Sequence, residues 1–375
     1  MLKRKIKVLT RATASAYLVE IENGGLVLCG VKIRKAVGDN AKKAIIVSNK
    51  KVVGLYGANV LKSLSASGFE VHQILIGDGE RYKNLKTLES LVAAFSSNGI
   101  SRTDVVVALG GGVVGDIAGF AAAIHSRGVP YIQIPTTLLS MIDSSVGGKT
   151  GINTIYGKNL VGAFYHPKLV LIDPSVLSTL PKREFTAGLC EAVKQGAISN
   201  RALFDKTVRI VDSHALTSDA FGDFLAAQIE FKTSIVQGDE REAASNTGPR
   251  SRKILNFGHT FAHALESATD YKFLKHGEAV GHGIIFAAEL SKKLGILDES
   301  VVKLLRGVVH RTGTLPSTDS LDRNRVFECL KHDKKVIDGT LQWILLKGIG
   351  KPVVIPHNKI GDALVKKTIQ HLISE

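Results

Sequence analysis

The chain has 375 residues, 44% hydrophobic and 22% charged, with 37 glycines, three cysteines and a formal net charge of +15. That length suffices for two domains of ordinary size, each with its own core. The three cysteines, Cys29, Cys190 and Cys329, are far apart and form no CxxC pair, which argues against a disulfide framework or a four-cysteine zinc site and suits a reducing cytoplasm.

The N-terminal run MLKRKIKVLTRATASAYLVE is basic, but no continuous apolar core follows it, so it does not read as a secretory signal. Downstream, short β-branched runs alternate with helical patterns. KKAIIVSN (42–49), FEVHQILIG (69–77), DVVVALGG (104–111), VPYIQIPT (129–136) and KLVLID (168–173) read as buried strands. LKTLESLVAAFSSNG (85–99) and DIAGFAAAIHSRG (116–128) show helical periodicity and end near glycine. This alternation predicts a mostly parallel, doubly wound sheet. Val105 to Ile124 is apolar enough to suggest a membrane span, yet it carries Asp116 and five glycines and changes from strand to helix pattern partway, so no span is assigned.

After Pro174 the pattern becomes helical, over 182–200, 219–238, 255–269, 276–294, 298–312 and 361–374, with strand signals only in LQWILLKG and KPVVIP. The expected fold is an α/β nucleotide-binding domain over 1–180 and an all-α domain over 181–375. REAASNTGPRSRK (241–253) reads as an exposed loop. The positive charges are scattered through amphipathic segments without aromatic interleaving, which predicts a solvated basic surface and no nucleic-acid partner. A site for a small anion can use the remainder.

Two glycine turns carry chemistry. Gly110, Gly112 and Gly115 have GxGxxG spacing between a strand and a helix, where small residues let backbone N–H groups approach a pyrophosphate. The acidic ribose partner usual at the end of the next strand is missing, since that strand ends IPTT; Glu80 in GDGERYK, with Lys83, is a substitute. Farther on, GGKT imitates a phosphate-binding P-loop, but Asp143 stands where its first glycine belongs, which excludes a P-loop ATPase or kinase. Lys149 there, and Lys158 with Asn159 in YGKNLVGAF, still suit an anion.

Four of the twelve histidines, His259, His263, His276 and His282, fall in LNFGHTFAHALESATDYKFLKHGEAVGHG. His259 and His263 share a helical face, which suggests a zinc pair. Glu191 and Lys194, at i and i+3 in the apolar run GLCEAVKQG, are by default a surface ion pair, although their neighbours point to a buried face. Glu191 with two of the histidines would supply the three protein ligands of a catalytic zinc.

GGGVVGD, RGVPYIQIPTTLLSMIDSSVGGKTGIN, GKNLVGAFYHP, TLPKREF, EAVKQGAI, LNFGHTFAHALE and HGEAVGHG stand together in one chain. In these motifs and their order, over nearly its whole length, the chain resembles the 3-dehydroquinate synthases, sugar-phosphate cyclases of the shikimate pathway that serve aromatic amino-acid biosynthesis. The resemblance implies conversion of 3-deoxy-D-arabino-heptulosonate 7-phosphate to 3-dehydroquinate and phosphate by a lyase that uses NAD and a divalent metal, Zn2+ or Co2+. Transient oxidation, phosphate elimination, reduction and aldol closure leave no net redox change. It implies metal ligation by Glu191, His259 and His276, with His263 on the substrate instead. For NAD it implies Glu80, Lys83, Gly111, Gly112, Val113, Asp116, Thr136, Thr137, Asp143, Lys149, Lys158, Thr179 and Leu180.

For the small anionic substrate the resemblance implies Arg127, Lys149, Asn159, Lys194, Lys232, Arg252, Asn256, His263 and Lys334 or Lys335. A cytoplasmic homodimer is implied, with Arg127 reaching the neighbouring subunit's site. Two features depart from the family pattern. The stretch from Asp239 to Arg252 is longer, which leaves Arg250 as an alternative to Arg252. HSRG also lacks the aromatic residue or methionine that more often precedes the arginine. The alternatives are another sugar-phosphate cyclase or a metal-dependent polyol dehydrogenase of the same superfamily, which would release NADH.

Overall fold

The computed structural model describes residues 3–9, 16–213, 218–243, 246, 248, 250–331, 336–337 and 340–373. The chain divides into two compact units, Met1–Leu180 with Leu216–Ile229, and Pro181–Ala215 with Glu230–Glu375.

Among its described residues the first unit holds nine strands: Lys3–Leu9 (β1), Ala16–Glu22 (β2), Lys43–Asn49 (β3), Glu70–Ile76 (β4), Val105–Gly110 (β5), Tyr131–Pro135 (β6), Lys149–Thr154 (β7), Gly157–Phe164 (β8) and Leu169–Ile172 (β9). Seven of them make one sheet in the order β1-β2-β9-β6-β5-β3-β4. Its neighbours are parallel except at the β1–β2 edge. β5, β6 and β9 are buried at every position, which is why they are continuous apolar runs rather than alternating ones. The helices are Cys29–Val37 (α1), Lys50–Val52 (α2) continuing through a wider turn at Val53–Gly57 into Ala58–Ala66 (α3), Leu85–Ser97 (α4) and Gly112–Ile124 (α5). Leu91 and Phe95 of α4 and Ile117, Ala118 and Ala121 of α5 meet Ile45, Val47, Val106 and Tyr131 of the sheet in one core.

β4 lies on one side of β3, whereas β5, β6 and β9 follow on the other. The strand order therefore reverses at β3–β5, and open parallel sheets bind ligands outside the carboxyl ends of their strands at such a point. The Gly110–Gly112 turn leaves β5 there. β7 and β8 form a separate antiparallel hairpin where the sequence suggests only anion-binding turns. Its glycines and polar residues hide the strand alternation, and Gly151 and Gly162 cross so closely that a Cβ on either would overlap the opposite backbone.

The second unit contains Lys182–Ser199 (α6), Arg201–Ser213 (α7), the C-terminal part of Asp219–Gly238 (α8), His259–Ala268 (α9), His276–Lys293 (α10), Glu299–Arg311 (α11), Arg323–Lys331 (α12) and Asp362–Leu372 (α13). A three-stranded antiparallel sheet, Val336–Ile337 (β10), Thr340–Leu346 (β11) and Pro352–Pro356 (β12), accompanies them. In α6 every residue from Thr186 to Ile198 is buried, so Glu191 and Lys194 are not the surface pair that their spacing alone suggests. α9 starts at His259 rather than at 255 because Gly258, at φ +78°, interrupts the helical path after a short 3-10 turn, Arg252–Asn256. No helix among the described residues is long and apolar enough to cross a membrane.

Candidate active site

Three helices of the second unit bring one carboxylate and two imidazoles together. Glu191 of α6 and His259 of α9 are buried, and His276, the first residue of α10, is half-buried. Glu191 Oε1 lies 3.7 Å from His259 Nε2 and 3.5 Å from His276 Nε2. Ligand atoms around a tetrahedral zinc at 2.0–2.2 Å stand about 3.3–3.6 Å apart, so the donor set fits a divalent ion in spacing and in kind. The unused ring nitrogens have partners. His259 Nδ1 is 3.2 Å from the Phe257 carbonyl, and His276 Nδ1 is 3.3 Å from Glu266 Oε2. Each ring can therefore donate from Nδ1 and keep the Nε2 lone pair for a metal.

Helix packing sets this convergence. A Cβ on Gly277, next to His276, would lie 2.0 Å from the Ala187 carbonyl oxygen of α6. A Cβ on Gly283 would lie 2.0 Å from the Gly258 carbonyl, beside His259. Close approach at these two crossings requires hydrogen in place of a side chain. Arg183 of α6 also holds the buried Glu278 of α10 through two bonds, Nε to Oε1 at 2.7 Å and Nη2 to Oε2 at 2.6 Å. The same carboxylate accepts the Lys275 N–H at 2.8 Å and so caps α10.

Of the cations expected for this unit, Lys194 meets the cluster directly. Lys194 Nζ is 2.6 Å from Glu191 Oε2, with both side chains 1% exposed. His263, one turn after His259, has its ring 5.6 Å from His259 and 6.0 Å from His276. Lys232 and Arg252 are buried, whereas Arg250 is exposed, so of the two arginines only Arg252 faces inward. Arg252 Nη1 donates to the Glu240 carbonyl at 2.6 Å, and Asn256 Nδ2 to Glu242 Oε1 at 3.1 Å. Asp239 organises this longer loop by accepting from Ala243 N, Arg252 N, Ser251 Oγ and Asn246 Nδ2. Burial pushes its carboxyl up, but these bonds outweigh burial and hold it below the usual carboxylate range. Lys334 and Lys335 lie outside the described residues.

The first unit gathers most of the residues expected for a nucleotide. Gly111 caps α5, and its Cβ would sit 3.1 Å from Thr137; one on Gly112 would sit 3.0 Å from Ser144 Oγ. Val113 and Asp116 follow in the first turns of α5. Lys83 Nζ, buried, is 2.5 Å from both Asp116 Oδ2 and Asn159 Oδ1. Asn159, at φ +54°, takes Asn153 Oδ1 on its backbone N–H, and Asn153 Nδ2 donates to Glu80 Oε1 at 2.7 Å. One network thus joins Glu80, Lys83, Asp116 and Asn159. Lys149 opens β7 and is exposed, and Lys158 lies in β8. Thr136 and Thr137 follow β6, and Asp143 lies in the turn after them. Thr179 bonds Tyr56 just before Leu180.

Sequence reasoning passed over Asn49. It stands at the carboxyl end of β3 beside the switch point, caps α2 and donates to Asp78 Oδ1 at 3.2 Å. Only the strand order, which the sequence does not state, puts it next to the glycine turn. Arg127 is exposed on a strained turn, with φ +50° at Ser126 and +63° at Arg127.

A glycine turn at the switch point of a parallel sheet, and a helical unit that converges a carboxylate and two imidazoles, define a nucleotide- and metal-dependent enzyme. Models of the 3-dehydroquinate synthase N-terminal and C-terminal regions match residues 73–187 and 188–336. The chain is 39% identical over 378 residues to a 3-dehydroquinate synthase of Prochlorococcus marinus (strain MIT 9211), covering 100% of both chains. Among solved structures it is similar to a 2-deoxy-scyllo-inosose synthase complexed with carbaglucose-6-phosphate, NAD+ and Co2+, with a TM-score of 0.84, 26% identity and coverage of 98% and 99% of the two chains. A 2-epi-5-epi-valiolone synthase from Streptomyces hygroscopicus subsp. jinggangensis 5008, with NAD+ and Zn2+ bound, gives 0.84, 27%, 98% and 99%. The chain belongs to the 3-dehydroquinate synthase family.

Proposed function

We infer that the protein converts 3-deoxy-D-arabino-heptulosonate 7-phosphate to 3-dehydroquinate and phosphate, using NAD+ and one divalent cation, zinc or cobalt. The observation that carries this reading is the pair of imidazole Nε2 atoms 3.7 and 3.5 Å from Glu191 Oε1 in a chain of this family. Residues 1–180 serve as the nucleotide half and 181–375 as the metal and substrate half.

Glu191, His259 and His276 hold the ion, which when bound polarises substrate hydroxyls as a Lewis acid. NAD+ supplies a transient hydride acceptor and is regenerated in the cycle. Lys194 balances the Glu191 charge and presents its remaining ammonium protons to substrate oxygens. Lys232 and Arg252 take the substrate carboxylate, where a planar guanidinium binds two oxygens at once. Asn256 and a lysine of HDKK take phosphate oxygens, as do Lys149 and Asn159 of the first unit. His263 donates to or accepts from a substrate hydroxyl without joining the metal. Gly111, Gly112 and Val113 present backbone N–H groups to the pyrophosphate. Glu80, Lys83, Asp116, Thr136, Thr137, Asp143, Lys158, Thr179 and Leu180 complete the nucleotide set.

We also read the protein as a cytoplasmic homodimer with no nucleic-acid partner. Supporting the dimer, β8 exposes Leu160, Val161 and Phe164, and the tip of its hairpin exposes Ile155 and Tyr156. The Arg127 turn approaches the end of this hairpin, where a Cβ on Gly128 would lie 3.3 Å from Tyr165 Oη. Arg127 thus stands on the turn that meets this end of the hairpin, whose exposed apolar residues suit a second copy. Three free cysteines support the reducing compartment.

The test is incubation with the heptulosonate phosphate, catalytic NAD+ and zinc. Phosphate and the cyclic product are expected in equal amounts, with no net NADH. Phosphate without cyclic product, or one NADH per turnover, would overturn the reading, and the second outcome would mark a polyol dehydrogenase.

A further inference from the structure

The α9 helix supplies one buried acid that the metal reading leaves unused. Glu266 is 2% exposed and stands three residues after His263 and seven after His259, on the same helical face. Its Oε2 is 3.3 Å from His276 Nδ1, while His276 Nε2 is 3.5 Å from Glu191 Oε1. One imidazole therefore stands between two buried carboxylates, one at each nitrogen. A neutral ring carries a single N–H, and only one nitrogen can offer a lone pair to a cation.

Two arrangements compete. Glu191, His259 and His276 have ligand atoms within 4.8 Å of one another, and so do His263, Glu266 and His276. What separates them is how many rings each carboxylate oxygen meets: Glu191 Oε1 lies 3.5 and 3.7 Å from two Nε2 atoms, close to the spacing of ligands across an ion, about 3.3–3.6 Å, whereas Glu266 Oε2 is hydrogen-bonded to one Nδ1. The Glu266 contact is short enough for Nδ1–H to donate to the carboxylate. His259 has an equivalent arrangement, with the Phe257 carbonyl in place of a carboxylate.

We propose that Glu266 is a positioning residue that accepts the Nδ1–H of His276, fixing the ring and its tautomer so that Nε2 points at the ion. It is not itself a ligand. The proposal rests on the metal set assigned above. Carboxylates behind metal-bound imidazoles raise ligand basicity, and their loss costs about 10- to 100-fold in metal affinity.

The test measures zinc affinity by chelator competition and, separately, the visible spectrum of the Co2+-loaded full chain. Glu266→Gln can still accept the Nδ1–H through its amide oxygen and should lose about tenfold, whereas Glu266→Ala should approach 100-fold. Both should keep the cobalt spectrum of the parent protein, and His263→Ala should keep wild-type zinc affinity. Thermal unfolding of the metal-free variants controls for folding, with Glu266→Gln as the isosteric case and His263→Ala as an independent check. Unchanged zinc affinity in Glu266→Ala would overturn the proposal. So would loss of binding in His263→Ala together with its retention in Glu191→Gln, since Glu266 would then be a ligand. If Glu191→Gln, His259→Ala and His276→Ala all bind zinc normally, the metal set itself fails, which is distinct from failure of Glu266 alone.

Discussion

His282, fourth in the histidine cluster, has a structural explanation that its neighbours do not share. It lies on α10, and its Nε2 is 3.0 Å from the Pro316 carbonyl, so the ring pins the segment after α11. Burial holds its basicity below the ordinary value near 6.5; His310 acts in the same direction, while the Pro316 carbonyl, Glu278 and Asp319 oppose it. The unfolded chain therefore takes up this proton more readily than the folded one, and stability falls as pH drops from about 6.5 through the folded value. His282→Gln keeps a donor for Pro316 but cannot titrate. The difference between urea midpoints at about pH 7.5 and pH 5.5 should shrink in the variant relative to the parent. An equal difference in both proteins would show that His282 does not drive the slope. Asp239 acts in a separate window. Its depressed carboxyl contributes above the ordinary value of 3.8 and is lost only as pH falls below it.

At the scale of elements, two helix crossings bring Glu191, His259 and His276, the proposed metal set, together. Gly277 lets α10 meet α6 beside His276, and Gly283 lets it meet α9 beside His259. A methyl at either crossing meets backbone, which cannot rotate away. Gly277→Ala should cost about 1–3 kcal/mol, read as an urea midpoint shift at constant slope, and should weaken zinc binding beyond that loss. Gly295→Ala is the control for space, since a Cβ there meets nothing within 4 Å, although its φ of +72° adds local strain. Wild-type zinc affinity in Gly277→Ala would mean that the crossing does not set the ligand distance. Such crossings are not legible in one sequence, because HGEAVGHG reads the same whether its glycines pack or simply weaken a helix. The helices themselves were legible: α6, α8, α10, α11 and α13 carry the 3.6-residue period through most of their length. The β7–β8 hairpin was not, because glycines and polar residues interrupt its alternation.

For the whole molecule, chain order and spatial grouping diverge at α8. Its first part, through Ile229, groups with the α/β unit, whereas Glu230 onward, including Lys232, groups with the helical unit. No composition change marks that point, since the helix is amphipathic on both sides of it. The proposed ligand set came from motif resemblance, whereas the distances that bring Glu191, His259 and His276 within reach of one another are supplied only by the fold. The cysteines report on the fold as a whole. Cys29 is fully buried, and burial pushes its thiol up. Cys190, fully buried beside Glu191 and hydrogen-bonded to Thr312, is pushed up to about 12. Cys329 is only partly buried. Since the thiolate is the reactive form, the native protein at pH 8 should label quickly at Cys329 alone, with Cys29 and Cys190 reacting after denaturation. Slow native labelling of Cys190 then measures opening of α6. On the proposed metal set, zinc binds the closed state through Glu191, so saturating zinc should slow that labelling by about the factor 1 + [Zn]/Kd, with Kd taken from chelator competition. A Cys190 rate insensitive to zinc, with Cys29 as the internal reference, would place the ion away from α6.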